Sequence, residues 1–112
     1  MKLSIVTTLF NSEKYIVDFH KRASTSARSL VGNDYEIIFV NDGSPDSSLE
    51  KAILLTHKSS KVTVISLSRN FGHHKAMMTG LEYASGDLVF LVDSDLEEEP
   101  EWLSNFFAQK QQ

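Results

Sequence analysis

Hydrophobic positions fall into four nearly unbroken runs, separated by stretches in which they recur every three or four residues. The runs are Leu3–Leu9, Tyr35–Asn41, Val62–Leu67 and Leu88–Val92, rich in Val, Ile, Leu and Phe with little alternation. A strand with one wet face alternates, whereas a continuous apolar run requires cover on both faces, as in most parallel sheets. The intervening segments predict helices. Ser12 can cap a helix running to about Leu30, with Tyr15, Ile16 and Phe19 spaced for one buried face, and Gly32-Asn33-Asp34 ends it. Asp46 or Ser47 starts a second helix carrying Leu49, Ala52, Ile53 and Leu54. His73 to Ala84 reads as a third, with Ala76, Met77, Gly80 and Leu81 packed inward and Ser85-Gly86 closing it. Pro100 suits the first turn of a last helix, Glu101 to about Lys110. Strand–helix alternation at this spacing implies right-handed crossovers. The expected fold class is α/β: an open, mainly parallel sheet of about four strands with helices on both faces.

A length of 112 residues fits one domain with a real core, and 41% hydrophobic content with 2 Pro and 5 Gly excludes collagen-like and grossly disordered classes. The absence of Cys excludes a disulfide scaffold, a thiolate zinc site and a cysteine nucleophile. No apolar run is long enough to span a bilayer. The start, Met1 to Val6, enters a strand pattern without a signal-peptide cleavage region, so a cytoplasmic location is expected. The net charge of −4 is uneven. Asp93, Asp95, Glu97, Glu98, Glu99 and Glu101 are six of the fifteen acids, and the other nine face eleven basic residues. The chain outside 93–101 is therefore slightly basic, and the acidic window is either a solvated loop or a cation site. No nucleic-acid partner is expected.

Ligands of open α/β sheets sit beyond the C-terminal ends of the strands. Polar residues gather at all four such places: Phe10-Asn11-Ser12, Asp42 to Asp46, Ser68 to His73, and Asp93-Ser94-Asp95. Asp93 and Asp95 flank a small residue, so on extended chain both can approach one side, and Glu97 follows two residues later. Such hard oxygen donors suit Mg²⁺ or Mn²⁺ completed by substrate phosphates, although D-x-D also arises often by chance in exposed loops. Asn41 to Asp46 is turn chemistry that can simply cap the second helix, or Asp42 can accept from a nucleobase N–H or ribose hydroxyls. Arg69 and Lys75 are either surface cations or diphosphate contacts, with Gly72 permitting close backbone approach. His73 and His74 are adjacent, so on a helix they point about 100° apart and poorly share one ion. No G-x-G-x-x-G follows the first strand, and neither a P-loop nor a G-x-S-x-G elbow occurs.

In this order, Val40-Asn41-Asp42-Gly43-Ser44-Pro45-Asp46-Ser47, then Ser68-Arg69-Asn70-Phe71-Gly72-His73-His74-Lys75-Ala76 with Gly80-Leu81, then Ala84-Ser85-Gly86-Asp87 and Asp93-Ser94-Asp95-Leu96 before Pro100-Glu101, the chain resembles the family 2 glycosyltransferases with a GT-A fold. The Arg69-Asn70-Phe71-Gly72 segment makes it most similar to the polyprenyl-phosphate sugar transferases, such as dolichyl-phosphate mannosyltransferase. The resemblance implies that Asp42 binds the base of a UDP- or GDP-linked sugar. It places Thr8 and Phe10 at the nucleotide, where the family usually has proline and tyrosine, and Ser12 where it has glutamate. It makes Asp93 and Asp95 the D-x-D motif that holds a divalent ion on the sugar diphosphate, with Glu97 in place of the branch's usual glutamine. Arg69 and Lys75 would lie near the nucleotide or diphosphate.

The activity so implied is inverting displacement at the anomeric carbon, with a lipid phosphate or a growing surface glycan as acceptor. No general base is evident, because in the family the acceptor parts lie C-terminal to D-x-D. The expectation is one nucleotide-sugar-binding domain over 1–112, the donor half of a catalytic domain without its acceptor half. It spans no membrane, and the longer form would work at the cytoplasmic face of one. Two rivals remain at this level: a phosphate- or nucleotide-binding module without transferase activity, and a phosphoryl-transfer enzyme using the two aspartates. The latter lacks a convincing cradle at Thr7, Thr8 and Asn11.

Overall fold

Strand β1 (Leu3–Leu9) is buried at all seven positions, which is why its sequence does not alternate. It lies in the interior of a four-stranded sheet of order β3-β2-β1-β4. The computed structural model describes residues 1–93, the side chain of Asp93 excepted. Asp95, Glu97 and the expected helix at 101–110 lie outside the described residues. After β1 come α1 (Ile16–Val31), β2 (Tyr35–Asn41), α2 (Ser48–Lys58), β3 (Val62–Ser66), α3 (His73–Tyr83) and β4 (Leu88–Asp93). Every strand pair is parallel, with Leu9 opposite Asn41, Thr8 opposite Asp93, and Asn41 opposite Ser66. Among the described residues no helix is long and apolar enough to cross a membrane.

The two faces of the sheet carry separate cores. Leu3, Ile5, Leu9, Ile37 and Phe39 pack with Phe19, Ala23, Ala52 and Leu55 of α1 and α2. Val6, Ile38 and Val40 pack with Ala76 and Met77 of α3 on the other face. Phe19 meets Phe39 edge-on, ring centroids 6.1 Å apart. Helix α3 lies close to the sheet because of Gly80: a Cβ there would run into Val6 and sit 2.9 Å from Val40 Cγ2. The α/β class and the helices on both faces therefore stand as read from the hydrophobic runs.

Four local expectations are corrected. Helix α1 begins at Ile16, not next to Ser12. The Ser12 carbonyl accepts the Tyr15 and Ile16 N–H groups at 2.9 and 3.1 Å, while its hydroxyl turns back to the Phe10 N–H. Helix α2 buries Ala52 and Leu55 and leaves Ile53 and Leu54 43% and 60% exposed, because the run Ala52 to Leu55 offers two apolar stripes and the sheet covers one. Leu81 of α3 is likewise exposed. Leu67, read as part of β3, follows it, although its N–H still donates to Asn41 O at 2.9 Å.

The turn Ser85-Gly86-Asp87 lies at the opposite, N-terminal end of the strands. The Glu36 carboxylate accepts the Ser4 hydroxyl at 2.6 Å and the Ser85 N–H at 2.7 Å, and Gly86 N–H donates to Ser4 Oγ. Burial raises the Glu36 carboxyl's affinity for a proton, but these bonds and Lys2 outweigh it and hold the carboxyl below its ordinary range. This part of the motif order is a structural clasp.

Candidate functional site

At the C-terminal ends of β1, β2 and β3, three loops are tied to one another. The first tie joins the β1–α1 loop to the β2–α2 loop. Asn11 N–H donates to Ser44 Oγ at 2.9 Å, Ser12 N–H to Ser48 Oγ at 3.0 Å, and Glu13 N–H to Asp46 Oδ2 at 3.1 Å. Lys51 Nζ reaches Glu13 O at 2.8 Å. Asn11 sits at φ 55°, a left-handed conformation that asparagine tolerates and that turns the chain out of the strand.

Asp46 is the knot of this tie. Its carboxylate also accepts the Ser44 hydroxyl, the Ser48 hydroxyl at 2.6 Å and the Ser48 N–H at 3.0 Å. Burial pushes this carboxyl up, but the four hydrogen bonds outweigh it and bring it down to about 2. With those donors in place, Asp46 fixes loop geometry and the entry to α2.

The second tie joins the β2–α2 loop to the β3–α3 loop. Asp42 is only 3% exposed, its N–H donates to Leu9 O at 3.0 Å, and its Oδ1 accepts the Phe71 N–H at 2.8 Å. No donor among the described residues reaches its Oδ2. Gly43, at φ 64°, lets the two backbones touch: a Cβ there would press on Asn70 N and lie 2.6 Å from Arg69 C. Asn70 Oδ1 accepts the Gly72 N–H at 2.9 Å and closes the turn. Two cations approach the Phe71 ring, Arg69 Cζ at 4.7 Å and Lys75 Nζ at 5.5 Å from its centroid.

The third tie runs from β1 to α3. Thr8 Oγ1 lies 3.1 Å from His73 Nδ1, and Thr8 is the register partner of Asp93 at the end of β4.

The predicted residues thus fall into three groups. Asp42, Arg69 and Lys75 meet around the loop at Phe71, and Thr8 and Asp93 pair on neighbouring strands. Phe10 stands 46% exposed at the end of β1. Asp95 and Glu97 lie outside the described residues, among which no group of three His, Cys, Asp or Glu side chains gathers to hold a metal. The donor set fits Mg²⁺ or Mn²⁺ by chemistry: carboxylates two residues apart, starting at the sheet edge where β4 ends. Residue-by-residue reading missed Glu13, Ser44, Ser48 and His73. The serines carried no distinguishing signal. His73 was visible as a polar residue after the third strand and as half of an adjacent histidine pair, but its tie to Thr8 spans 65 residues.

Comparison with known proteins bears on this edge. The family model described as Glycosyl transferase family 2 matches residues 4–112. A Mycobacterium tuberculosis protein described as a glycosyltransferase is 58% identical over 107 residues, covering 96% of this chain and 31% of its own length. The crystal structure of S. aureus TarS 1-349 superposes with a TM-score of 0.79 at 29% identity, covering 96% of this chain and 32% of that one. Its complex with UDP-GlcNAc gives 0.76 at 28% identity, covering 96% and 30%. The mannosyltransferase PcManGT from Pyrobaculum calidifontis, in complex with GDP-Man and Mn²⁺, gives 0.76 at 17% identity, covering 84% and 27%, and shares the fold. The chain spans about a third of the length of these relatives.

Proposed function

Because this chain belongs to glycosyl transferase family 2, we propose that it is the donor-binding part of an enzyme transferring a hexosyl group from a nucleoside-diphosphate sugar. The observation that carries this reading is the edge itself. Three loops are locked together around Asp42, whose Oδ1 is engaged by Phe71 and whose Oδ2 faces no donor among the described residues. That oxygen accepts from the base or ribose of the donor. Arg69 and Lys75, already gathered on Phe71, meet the diphosphate, and Thr8 and Phe10 border the nucleotide. A uridine donor has the better support, since S. aureus TarS, at 28% identity, was crystallised with UDP and with UDP-GlcNAc.

Asp93, Asp95 and Glu97 would hold Mg²⁺ or Mn²⁺. When bound, such an ion acts as a Lewis acid on the charge developing at the leaving diphosphate. This chain's own residues bind and orient the donor, and the rigid loop ties keep the site formed before donor arrives. A lipid-phosphate acceptor is already an anion and needs no base, whereas a glycan hydroxyl would. The Arg69 to Gly72 segment favours the polyprenyl-phosphate acceptor, used at the cytoplasmic face of a membrane. The chain spans about a third of the length of the relatives it matches, so the test of this reading is donor binding and not sugar transfer.

Calorimetry with UDP and GDP, with and without Mn²⁺, tests this. The expected result is UDP binding that Mn²⁺ strengthens, with the Mn²⁺ effect removed in Asp95→Ala. A folded sample that binds neither nucleotide in Mn²⁺ would overturn the proposal.

A further inference from the structure

Arg69 and Lys75 are both exposed, and among the described residues neither forms an ion pair. Both are nonetheless gathered near one point, with Arg69 Cζ 4.7 Å and Lys75 Nζ 5.5 Å from the Phe71 ring centroid. Two like charges brought together repel, and a long exposed side chain loses rotamer freedom when it is held. The ring face, the negative end of an aromatic quadrupole, offsets both costs. The backbone that carries the ring is itself fixed. Phe71 N–H donates to buried Asp42 Oδ1 at 2.8 Å, and Gly72 N–H donates to Asn70 Oδ1 at 2.9 Å. Gly43 packs against the Arg69–Asn70 backbone from the neighbouring loop. One residue therefore touches the nucleoside-binding acid through its N–H and both cations through its ring.

We infer that Phe71 is a positioning residue for the donor: its ring holds the Arg69 and Lys75 side chains for the diphosphate, while its N–H holds Asp42 for the nucleoside. The inference rests on the donor-binding reading and deepens it, giving the ring a part in affinity. The gain is pre-organisation. Ordering a rotamer-rich side chain on binding weakens affinity by a factor of roughly two to ten. Cations already ordered on the ring lose less when the diphosphate arrives. Their charge stays available, because a ring face does not neutralise it as a carboxylate would. A leucine at position 71 keeps the N–H toward Asp42 and an apolar side chain, but it offers the cations no negative face.

The test is calorimetry on the whole chain in Mn²⁺ buffer with UDP, and NMR titration with uridine, which has no phosphate. The variants are Phe71→Leu, replacement of Phe71 by pentafluorophenylalanine, the pair Arg69→Gln/Lys75→Gln, and that pair combined with Phe71→Leu. Pentafluorophenylalanine nearly keeps the shape of the ring and reverses the charge of its face, so it separates charge from packing. Phe71→Leu and the fluorinated ring should each weaken UDP roughly fivefold. Uridine binding should be unchanged in both. With Arg69 and Lys75 already replaced, Phe71→Leu should have no further effect on UDP, because the ring acts through the cations. Three results would each overturn the inference while leaving the donor reading intact, provided Asp42→Asn loses UDP. They are UDP affinity unchanged or raised with the fluorinated ring, an equal loss for uridine, or the same loss from Phe71→Leu with the cations absent. A folded parent that binds no UDP overturns both.

Discussion

Gly43 and Gly32 share a positive φ, 64° and 66°, and give a test of the loop contact that forms the site. Gly32 has ψ −129°, a region open almost to glycine alone, so its alanine variant is strained by its own backbone. At Gly43 an alanine carries a positive-φ penalty of about 1 kcal/mol. The surroundings differ. At Gly32 an added Cβ meets nothing within 4 Å, whereas at Gly43 it would lie 2.6 Å from Arg69 C and press on the Asn70 amide nitrogen, both backbone atoms. Ordinary contact begins near 3.4 Å, so the Arg69–Asn70 backbone must retreat by nearly an ångström. The next N–H along that segment is the one Phe71 donates to Asp42 at 2.8 Å, and a retreat of that size carries it toward the limit of a hydrogen bond. A charge-assisted bond to a buried carboxylate is worth about 2 kcal/mol. Gly43→Ala should thus destabilise the fold by about 3 kcal/mol, read by urea denaturation. Gly32→Ala is destabilised through its own backbone alone, so UDP titration of the folded variants separates the two: a loss in Gly43→Ala and none in Gly32→Ala. Equal UDP affinity in the two alanines would refute the argument, since only Gly43 presses on the loop at Asn70.

Asp46→Asn should matter at neutral pH and cease to matter in acid. The carboxyl's folded value, down to about 2 from 3.8, lies below the unfolded one, so its contribution is fully present above the unfolded value and is lost as pH falls through the folded one. The full shift would correspond to about 2.4 kcal/mol, and solvent screening at this partly exposed group reduces that to about 1 kcal/mol. Urea midpoints of parent and variant should therefore converge between about pH 4 and about pH 2, and a constant gap would contradict the assignment. On α2, Leu55→Ala should cost about 3 kcal/mol and Leu54→Gln less than about 0.5 kcal/mol, measured by the same denaturation, because Leu55 is 5% exposed and Leu54 60%.

What was legible in the sequence was whatever local pattern decides. The bounds of β1 and β2 follow from apolar runs that stop at polar turn residues, and the structure keeps Leu3–Leu9 and Tyr35–Asn41 unchanged. The buried stripe of α2 was not legible, since Ala52-Ile53-Leu54-Leu55 satisfies two helix faces equally and only the sheet chooses between them. The start of α1 was misplaced for a related reason. A serine before a helix suggests a side-chain cap, yet the Ser12 N–H is drawn to Ser48 and its carbonyl serves the first turn instead. Asp42 was visible as an acid at a strand end, but its partner Phe71 lies 29 residues away, and no short-range pattern encodes that bond.

The distribution of charge acquires a physical sense from these bonds. Asp46 accepts four hydrogen bonds and Asp42 anchors a neighbouring loop through one oxygen, so the acids after β2 serve geometry first. A carboxylate so engaged is a poor cation ligand, because coordination would have to displace donors that hold the loops. Cation binding on the proposed reading therefore falls to the acids that follow β4, and the residues 93–101 hold six of the fifteen. The same ties explain why the cations can stay at the edge. Arg69 and Lys75 are gathered on the Phe71 ring and, among the described residues, form no ion pair with an aspartate; an aromatic face holds a cation without consuming its charge. On the proposed reading, an edge built this way keeps positive charge for a diphosphate, while the acids after β4 would hold the metal. Among the described residues, that arrangement follows from the loops being held by backbone N–H groups and serine hydroxyls rather than by ion pairs.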